Sequence, residues 1–249
     1  MSEERNTIEG RNPVFEALTA GMPIDKILVS ETAKKEALGK IFRLAKEKGV
    51  PVQTVKPQKL SELAETEASQ GVIALCAAAS YVGVEDLLSR AEQKGKAPFL
   101  IIADEITDPH NLGAIIRTAN AAGADGVIIP KNRSAGIGAI AAKTSAGAVS
   151  YTPVARVVNL GQTIDRLKER GVWVMGADMS GESDLFHSDL TGPIAVVVGS
   201  EGKGISRLIK EKCDFLVRIP MLGEINSLNA SVAAAVMMYE IVRQRMNKE

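Results

Sequence analysis

The chain has 249 residues, of which 45% are hydrophobic and 24% charged, a composition typical of a globular protein with one large or two small domains. Its 30 lysines and arginines balance its 30 aspartates and glutamates, which excludes a globally basic nucleic-acid-binding protein but not a local basic surface. The two cysteines and two histidines follow no ligand spacing, which excludes a disulfide scaffold and a closed zinc site.

The cellular compartment is suggested by what the chain lacks. The first 15 residues contain no apolar stretch of the kind found in secretion signals, and no apolar run reaches the 18 residues of a membrane-spanning helix. Both cysteines lie in apolar stretches, which favours buried thiols in a reducing compartment. We therefore expect a cytoplasmic protein that does not enter a membrane.

Residues 1–78 alternate short helical and strand-like stretches, which predicts a small α/β domain. Asn12 is expected to cap the first helix, with Pro13 at its first position and Gly21 at its end. The elements expected after it are a strand at 24–30, a helix at 34–48, a strand at 52–55, a helix at 58–67 and a strand at 72–78. Residues 79–96 combine a short helical stretch with a Gly- and Pro-containing end, which predicts a linker.

Residues 97–249 form the second predicted domain. Most of its strand-like runs are continuously apolar, which is typical of a parallel sheet buried on both faces. The expected strands are 99–103, 127–129, 154–157, 172–176, 194–198 and 215–219. The expected helices lie near 111–122, 138–147, 160–170, 205–212 and 227–246. This alternation predicts a doubly wound α/β fold.

Three predicted strands of the second domain end in glycine-containing loops, at 176–178, 199–204 and 220–223. Ligands of α/β sheets bind beyond the carboxyl ends of strands, where glycines let backbone amides approach the ligand closely. The small and apolar flanking residues suit an adenine ring and a thioether better than a pyrophosphate. The chain has no P-loop, and neither half has a GxGxxG sequence after its first strand. The alternative interpretation is that these glycines only make tight turns.

Two further stretches place polar residues in or beside apolar helices. Asn111 is expected to start a helix in which Arg117 follows six positions later among apolar residues. Burying a guanidinium is costly unless it is paired, so Arg117 is interpreted either as part of a structural ion pair or as a ligand for an anion such as phosphate. Ser227 is expected to cap the last helix, and Asn229 just inside it has poor helix propensity, which indicates a polar role.

Together these stretches resemble the motif set of the SpoU (TrmH) family of RNA ribose 2′-O-methyltransferases, within the SPOUT superfamily. The first motif, NxGxxxRxA, is matched by Asn111, Gly113, Arg117 and Ala119. The second, GxEGxG, is matched by Gly199, Glu201, Gly202 and Gly204, and the third, IPM followed by SLNxSxA, at 219–221 and 227–233. Residues 1–78 are similar to the L30e-like RNA-binding domain that precedes the catalytic domain of many members, so the resemblance covers nearly the whole chain.

The resemblance implies a fold, a cofactor and an assembly. The fold is a C-terminal SPOUT domain at 97–249, with a parallel sheet and a trefoil knot, behind an L30e-like domain for the RNA substrate at 1–78. The cofactor is S-adenosylmethionine, with no metal, and the assembly is a homodimer with the active site at its interface. The residues expected to bind the methyl donor are Met175, Gly176, Ala177, Gly199, Gly204, Ile219, Met221 and Leu228.

The reaction implied by the resemblance is transfer of the donor methyl group to a ribose 2′-oxygen. The subgroup most similar to this sequence methylates a guanosine of bacterial large-subunit (23S) rRNA. The family assigns Arg117 to the reaction step, and because a guanidinium stays protonated, we expect Arg117 to bind the flanking phosphate and stabilise a developing alkoxide. The residues expected to position Arg117, donor and ribose are Asn111, Glu201, Ser227 and Asn229.

Two alternative functions remain open at this point. The first is the same chemistry on tRNA, because the motifs describe the reaction and not the RNA, although the L30e-like domain favours rRNA. The second is an RNA-binding module without activity. The presence of Arg117, Glu201 and Asn229 argues against that module.

Overall fold

A computed structural model gives the structure of residues 7–64, 69–77, 79–181, 183–224 and 226–248. The chain divides into two compact units, Met1–Ser80 with Ile137–Ala139 and Tyr81–Gly136 with Ile140–Glu249. Each unit has a sheet and a hydrophobic core of its own. Among the described residues, the structure contains no helix long and apolar enough to cross a membrane.

The first unit is an α/β unit whose sheet is covered on both faces. Its elements are β1 (Thr7–Glu9), α1 (Arg11–Thr19), β2 (Ile24–Ser30), α2 (Lys35–Glu47), β3 (Val52–Val55), α3 (Pro57–Leu63) and β4 (Val72–Cys76). The described strands form a sheet in the order β1-β4-β2-β3, in which only β2 and β3 are parallel. Because side chains alternate along a strand, Ile27 packs with α1 and α2, whereas Leu28 packs with Leu60 of α3.

The sequence predicted most of these elements, with local differences. The strands at 24–30 and 52–55 are confirmed. Asn12 is not the first helix cap, because α1 already begins at Arg11 and its N-cap is Gly10, at φ 92°. Parts of the predicted helix at 58–67 and strand at 72–78 fall on residues 65–68 and 78, which lie outside the described residues.

The segment predicted as a linker contains helix α4 (Val84–Gln93). Leu87, Leu88 and Ala91 of this helix are buried, and the two leucines belong to the core of the second unit. At the start of the helix, the Asp86 carboxylate accepts a hydrogen bond from the Gly83 backbone N–H at 2.7 Å. The structure therefore groups this segment with the second unit.

The second unit has a doubly wound α/β architecture, as predicted from the sequence. Its further elements are β5 (Phe99–Ala103), α5 (Pro109–Ala121), β6 (Gly126–Pro130), α6 (Ala139–Thr144), β7 (Val154–Val157), α7 (Leu160–Glu169), β8 (Trp173–Ala177), β9 (Ser183–Asp184), β10 (Ile194–Val198), α8 (Arg207–Lys212), β11 (Phe215–Arg218) and α9 (Ala230–Met246). The described strands form a sheet in the order β7-β6-β5-β10-β8-β11-β9, and all of its pairs are parallel.

The central strands β5 and β10 are buried at every position, which explains their continuously apolar sequences. The side chains that these two strands place on one face of the sheet pack with α4, α7 and α8. Helices α5 and α9 pack against each other and contact β6 and β10, respectively. The chain moves outward from β5 to β6 and β7 and later returns to place β10 on the other side of β5. The strand order therefore reverses between β5 and β10, and ligands of doubly wound sheets bind beyond the carboxyl ends of the strands at such a point.

Two predictions for the second unit, and one that concerns a cysteine in each unit, need correction. Helix α5 begins at Pro109 with Asp108 as its N-cap, so Asn111 lies in the first turn and does not start the helix. Helix α9 begins at Ala230, and its N-cap is Asn229 and not Ser227. Both cysteines are partly rather than fully buried, and burial raises the pKa of the Cys213 thiol to about 12. The trefoil knot implied by the resemblance stays a prediction.

Candidate active site

Loops at the carboxyl ends of β8, β10 and β11 meet the start of α9 around a cleft of about 270 Å³. Because these strands are parallel, their carboxyl ends lie at one edge of the sheet, where their loops converge. The residues that line the cleft are Ala177, Asp178, Met179, Val198, Gly199, Ser200, Glu201, Gly202, Lys203, Gly204, Val217, Ile219, Met221, Ser227, Leu228, Ala230 and Ala233.

Most of the residues predicted to bind a methyl donor lie in this lining. They are Ala177, Gly199, Gly204, Ile219, Met221 and Leu228. Met175 and Gly176 are not part of it, because both are buried within β8. A Cβ atom added to Gly176 would lie 2.7 Å from a methyl group of Leu216, so this glycine permits close packing behind the cleft wall.

The loop after β10 folds back on itself, and this shape requires a glycine. Ser200 and Gly204 exchange backbone hydrogen bonds of 3.0 and 2.9 Å, which closes the loop. A Cβ atom added to Gly199 would lie 2.0 Å from the carbonyl carbon of Gly204. No side chain fits at this position unless the loop opens, so Gly199 sets the shape of one cleft wall.

A hydrogen-bond network connects the cleft to the first turns of α5 and α9. The Asn111 amide donates to Oε1 of Glu201 at 3.0 Å. The Asn229 amide donates to the Asn111 side-chain oxygen at 3.0 Å and also to Oε1 of Glu201. One carboxylate oxygen therefore holds two helix ends beside the cleft.

Asn229 has two roles, which use the two ends of its side chain. Its oxygen caps α9 by accepting hydrogen bonds from the Ser231 and Val232 backbone N–H groups at 2.9 and 3.3 Å. Its nitrogen makes the two donations in the network with Asn111 and Glu201. The polar role that the sequence indicated for Asn229 is thus capping combined with this network.

Arg117 is exposed and does not line the cleft. The premise that it is a buried guanidinium inside an apolar helix is wrong, because the buried stripe of α5 consists of other positions. Those positions are Asn111, Leu112, Gly113, Ile115, Ile116 and Ala119. Six residues correspond to roughly 9 Å along a helix axis, so Arg117 lies about that far beyond Asn111 along the helix.

Asp178 and Lys210 form a charged pair at the cleft that the sequence did not predict. The Lys210 ammonium lies 2.6 Å from Oδ2 of Asp178, and the Ser180 backbone N–H donates to Oδ1 at 2.9 Å. Burial alone would raise the pKa of the Asp178 carboxyl, but hydrogen bonds from Lys210 and Ser180 outweigh burial and hold that pKa below its ordinary value. The position of Asp178 at the carboxyl end of a predicted strand could have marked it as a cleft residue. Nothing in the sequence indicated that Lys210 is its partner.

Two family profiles match successive parts of this chain. The profile of the SpoU rRNA methylase family matches residues 98–239. The chain belongs to the SpoU rRNA methylase family. A second profile, described as RNA 2′-O ribose methyltransferase substrate binding, matches residues 7–82. The chain is therefore an RNA methyltransferase, and S-adenosylmethionine is the methyl donor of its family.

Individual relatives agree with this assignment. A TrmH family tRNA/rRNA methyltransferase of Bacillus subtilis, YacO, is 46% identical over 245 residues, which is 98% of each chain. The structure of the SpoU methyltransferase AviRb from Streptomyces viridochromogenes, solved in complex with the cofactor AdoMet, is 28% identical with a TM-score of 0.63, over 97% of this chain and 90% of AviRb. An AdoMet-bound rRNA methyltransferase from Sinorhizobium meliloti is 26% identical with a TM-score of 0.60, over 95% and 86% of the two chains.

The two roles of Asn229 can be separated by substitution. Asn229→Ala removes the cap of α9 and should lower the free energy of unfolding by about 1 kcal/mol. Asn229→Ser keeps a good capping side chain but loses the amide donations to Asn111 and Glu201, so its destabilisation should be smaller than that of Asn229→Ala and measures the network alone. Urea unfolding of the three proteins measures this difference. If both variants are equally destabilised, the network and not the cap dominates at this position.

Proposed function

We propose that this chain transfers the methyl group of S-adenosylmethionine to the ribose 2′-oxygen of a guanosine in 23S rRNA. The main support for the proposal is the cleft at the carboxyl ends of β8, β10 and β11. The hydrogen-bond network of Asn111, Glu201 and Asn229 lies beside this cleft. The direct test is to incubate the protein with labelled donor and with fragments of rRNA or tRNA, and to measure the label transferred to each RNA. Methyl transfer to a guanosine 2′-oxygen of the rRNA fragment is the expected result, and transfer only to tRNA would contradict it.

The cleft suits the proposed donor chemically. Ala177, Ile219, Met221 and Leu228 supply small and apolar surfaces for an adenine ring and a thioether, while the folded loop at 199–204 presents backbone groups. The donor supplies an activated methyl group, so the protein has to align it with the ribose oxygen and assist loss of a proton.

A homodimer is part of the proposal, and α9 supplies the structural support for it. Val232, Tyr239 and Met246 lie seven residues apart on this helix and are 48%, 50% and 70% exposed. The opposite side of the helix, with Met237, Met238 and Ile241, is buried in the same chain. Burial of both sides is favourable for a helix that is apolar on both sides. A second copy of the chain would cover the exposed side with Val232, Tyr239 and Met246.

The dimer also gives Arg117 a role. This residue is exposed on α5, the helix that packs against α9, and it does not line the cleft of its own chain. We infer that it completes the cleft of the partner subunit, where its guanidinium binds the phosphate next to the reacting ribose and stabilises the developing negative charge on oxygen. Asn111, Ser227 and Asn229 keep the positioning roles expected from the resemblance.

The RNA substrate is assigned to the first unit, where the substrate-binding profile matches. We propose the boundaries 1–78 for this domain and 97–249 for the methyltransferase domain, with α4 of the segment between them packed in the core of the latter. Similarity to the rRNA enzyme of Sinorhizobium meliloti extends over 95% of this chain, which supports rRNA over tRNA. Such a substrate also supports a cytoplasmic location for the enzyme.

Substitution of Gly199 tests the donor site. Gly199→Ala places a Cβ atom where the backbone of Gly204 lies, so the loop must open and S-adenosylmethionine affinity should fall by at least about 10-fold. The matched control is Gly192→Ala, because a Cβ atom at that exposed position meets no atom within 4 Å. Titration calorimetry measures both affinities. Unchanged donor binding by Gly199→Ala would contradict the assignment of the cleft.

Substitution of Arg117 tests its part in the reaction. Arg117→Ala should lower the single-turnover rate of methyl transfer by about 100-fold, the effect of losing one group that stabilises an oxyanion. Arg117→Lys should recover little of this rate, because an ammonium lacks the planar fork that binds a phosphate in a bidentate manner. Donor affinity and melting temperature should stay near the wild-type values. Normal turnover by a well-folded Arg117→Ala protein would remove Arg117 from the mechanism.

Mixed dimers test whether Arg117 acts across the interface. At a donor concentration well below saturation of Gly199→Ala, the Arg117→Ala and Gly199→Ala proteins should each have low activity. After subunit exchange, half of the dimers carry one of each. If the site combines Arg117 of one subunit with the cleft of the other, each mixed dimer has one intact site, and activity should rise to about a quarter of the wild type. If both residues act within one chain, activity after mixing should stay at the level of the separate variants.

A further inference from the structure

The proposed reaction needs a proton acceptor, and the structure restricts where one is found. A ribose hydroxyl that attacks a methyl group must lose its proton, and a guanidinium has no lone pair with which to accept it. Arg117 is also absent from the cleft lining of its own chain. Among the described lining residues, two side chains carry a carboxylate, Asp178 and Glu201.

Asp178 is already fully engaged. Its Oδ2 lies 2.6 Å from the Lys210 ammonium. Its Oδ1 accepts hydrogen bonds from both the backbone N–H and the hydroxyl of Ser180. These interactions keep Asp178 ionised, and an incoming proton would have to displace Lys210 from Oδ2 or Ser180 from Oδ1.

Glu201 is engaged at only one of its two oxygens. Oε1 accepts the amide donations of Asn111 and Asn229, which fixes the side chain at the edge of the cleft. The hydrogen bonds that Glu201 accepts from the described residues both end on Oε1, which leaves Oε2 open. Glu201 is exposed and lines the cleft. The carboxylate is therefore held in place while one of its oxygens stays open to a ligand.

We propose that Oε2 of Glu201 accepts the proton of the ribose 2′-hydroxyl, an assignment that rests on the proposed function. In this step the bond between the 2′-oxygen and the methyl carbon forms as the bond between that carbon and sulfur breaks. The electron pair of the broken bond stays on sulfur, which becomes a neutral thioether. The proton moves from the 2′-oxygen to Oε2, and solvent takes it from the carboxyl group after product release.

A carboxylate is basic enough for this step because the acidity of the oxygen changes during the reaction. The free hydroxyl is a weak acid, but its proton becomes more acidic as the oxygen bonds to the methyl carbon, and the Arg117 guanidinium stabilises the negative charge that proton loss leaves on the oxygen. Proton transfer therefore becomes favourable as methyl transfer proceeds, and a positioned weak base is sufficient. Arg117 and Glu201 then have separate tasks, because the guanidinium stabilises charge and the carboxylate removes the proton.

Glu201→Gln is the direct test, because glutamine keeps an oxygen for the two asparagine amides but replaces Oε2 with a group that cannot accept a proton. Single-turnover methyl transfer by this variant should fall by about 100-fold or more, with donor affinity, RNA affinity and melting temperature unchanged. The matched control is Glu211→Gln, which removes an exposed carboxylate on α8 that pairs with Arg207 and should leave turnover normal. In Glu201→Ala, added formate should restore part of the rate, and chloride at the same concentration should not.

The possible outcomes distinguish this role from the alternatives. A slow but well-folded Glu201→Gln protein with formate rescue of Glu201→Ala supports the proposal. Near-normal turnover by Glu201→Gln would show that Glu201 acts only as a hydrogen-bond acceptor for the two asparagines, and would overturn the proposal while the methyltransferase function still stands. If the wild-type protein binds donor but methylates no RNA, the proposed function itself fails, and the role of Glu201 fails with it.

Discussion

Oε1 of Glu201 accepts two asparagine amides, and the arrangement of the candidate site depends on this shared acceptor. The donors are Asn111, 90 positions earlier in the chain, and Asn229, 28 positions later. The loop after β10, the first turn of α5 and the N-cap of α9 therefore meet at one atom. Because hydrogen bonds to a charged acceptor are stronger than neutral ones, the carboxylate is well suited to join these ends. The positions of the two helix ends beside the cleft and the fixed orientation of the carboxylate both follow from this shared acceptor.

The parallel sheet determines where that meeting point lies. Strands β8, β10 and β11 run in one direction, so their loops reach the same edge and form the walls of the cleft. The close approach of Gly199 to Gly204 lets one of these loops fold tightly enough to expose backbone groups. Much of the proposed donor site is thus made of backbone and small side chains, whereas the groups suited to chemistry come from the helix ends and the loop carboxylate.

The sequence predicted the central strands well because burial on both faces leaves continuous apolar runs, as in the strands at 99–103 and 194–198. Short strands such as β1 and β9 have no such run and exist only through pairing with β4 and β11, so their sequences did not reveal them. The predicted burial of Arg117 failed because apolar neighbours in sequence are not neighbours on a helix face. Leu112, Ile115, Ile116 and Ala119 form the buried stripe at helical spacing, and a helical projection would have placed Arg117 outside it. The ion pair of Asp178 and Lys210 joins residues 32 positions apart, which no local pattern indicates.

The central claim, methylation of a guanosine ribose in large-subunit rRNA, is tested most directly by mapping 2′-O-methylation in cells. Ribosomal and transfer RNA would be compared between cells with the intact gene, cells without it, and deleted cells that express either the wild-type chain or its Arg117→Ala variant. The account predicts that deletion removes one guanosine methylation from the large-subunit RNA, that the wild-type chain restores it and the variant does not, and that tRNA methylation stays the same. Loss of a tRNA methylation with an unchanged rRNA pattern would contradict it.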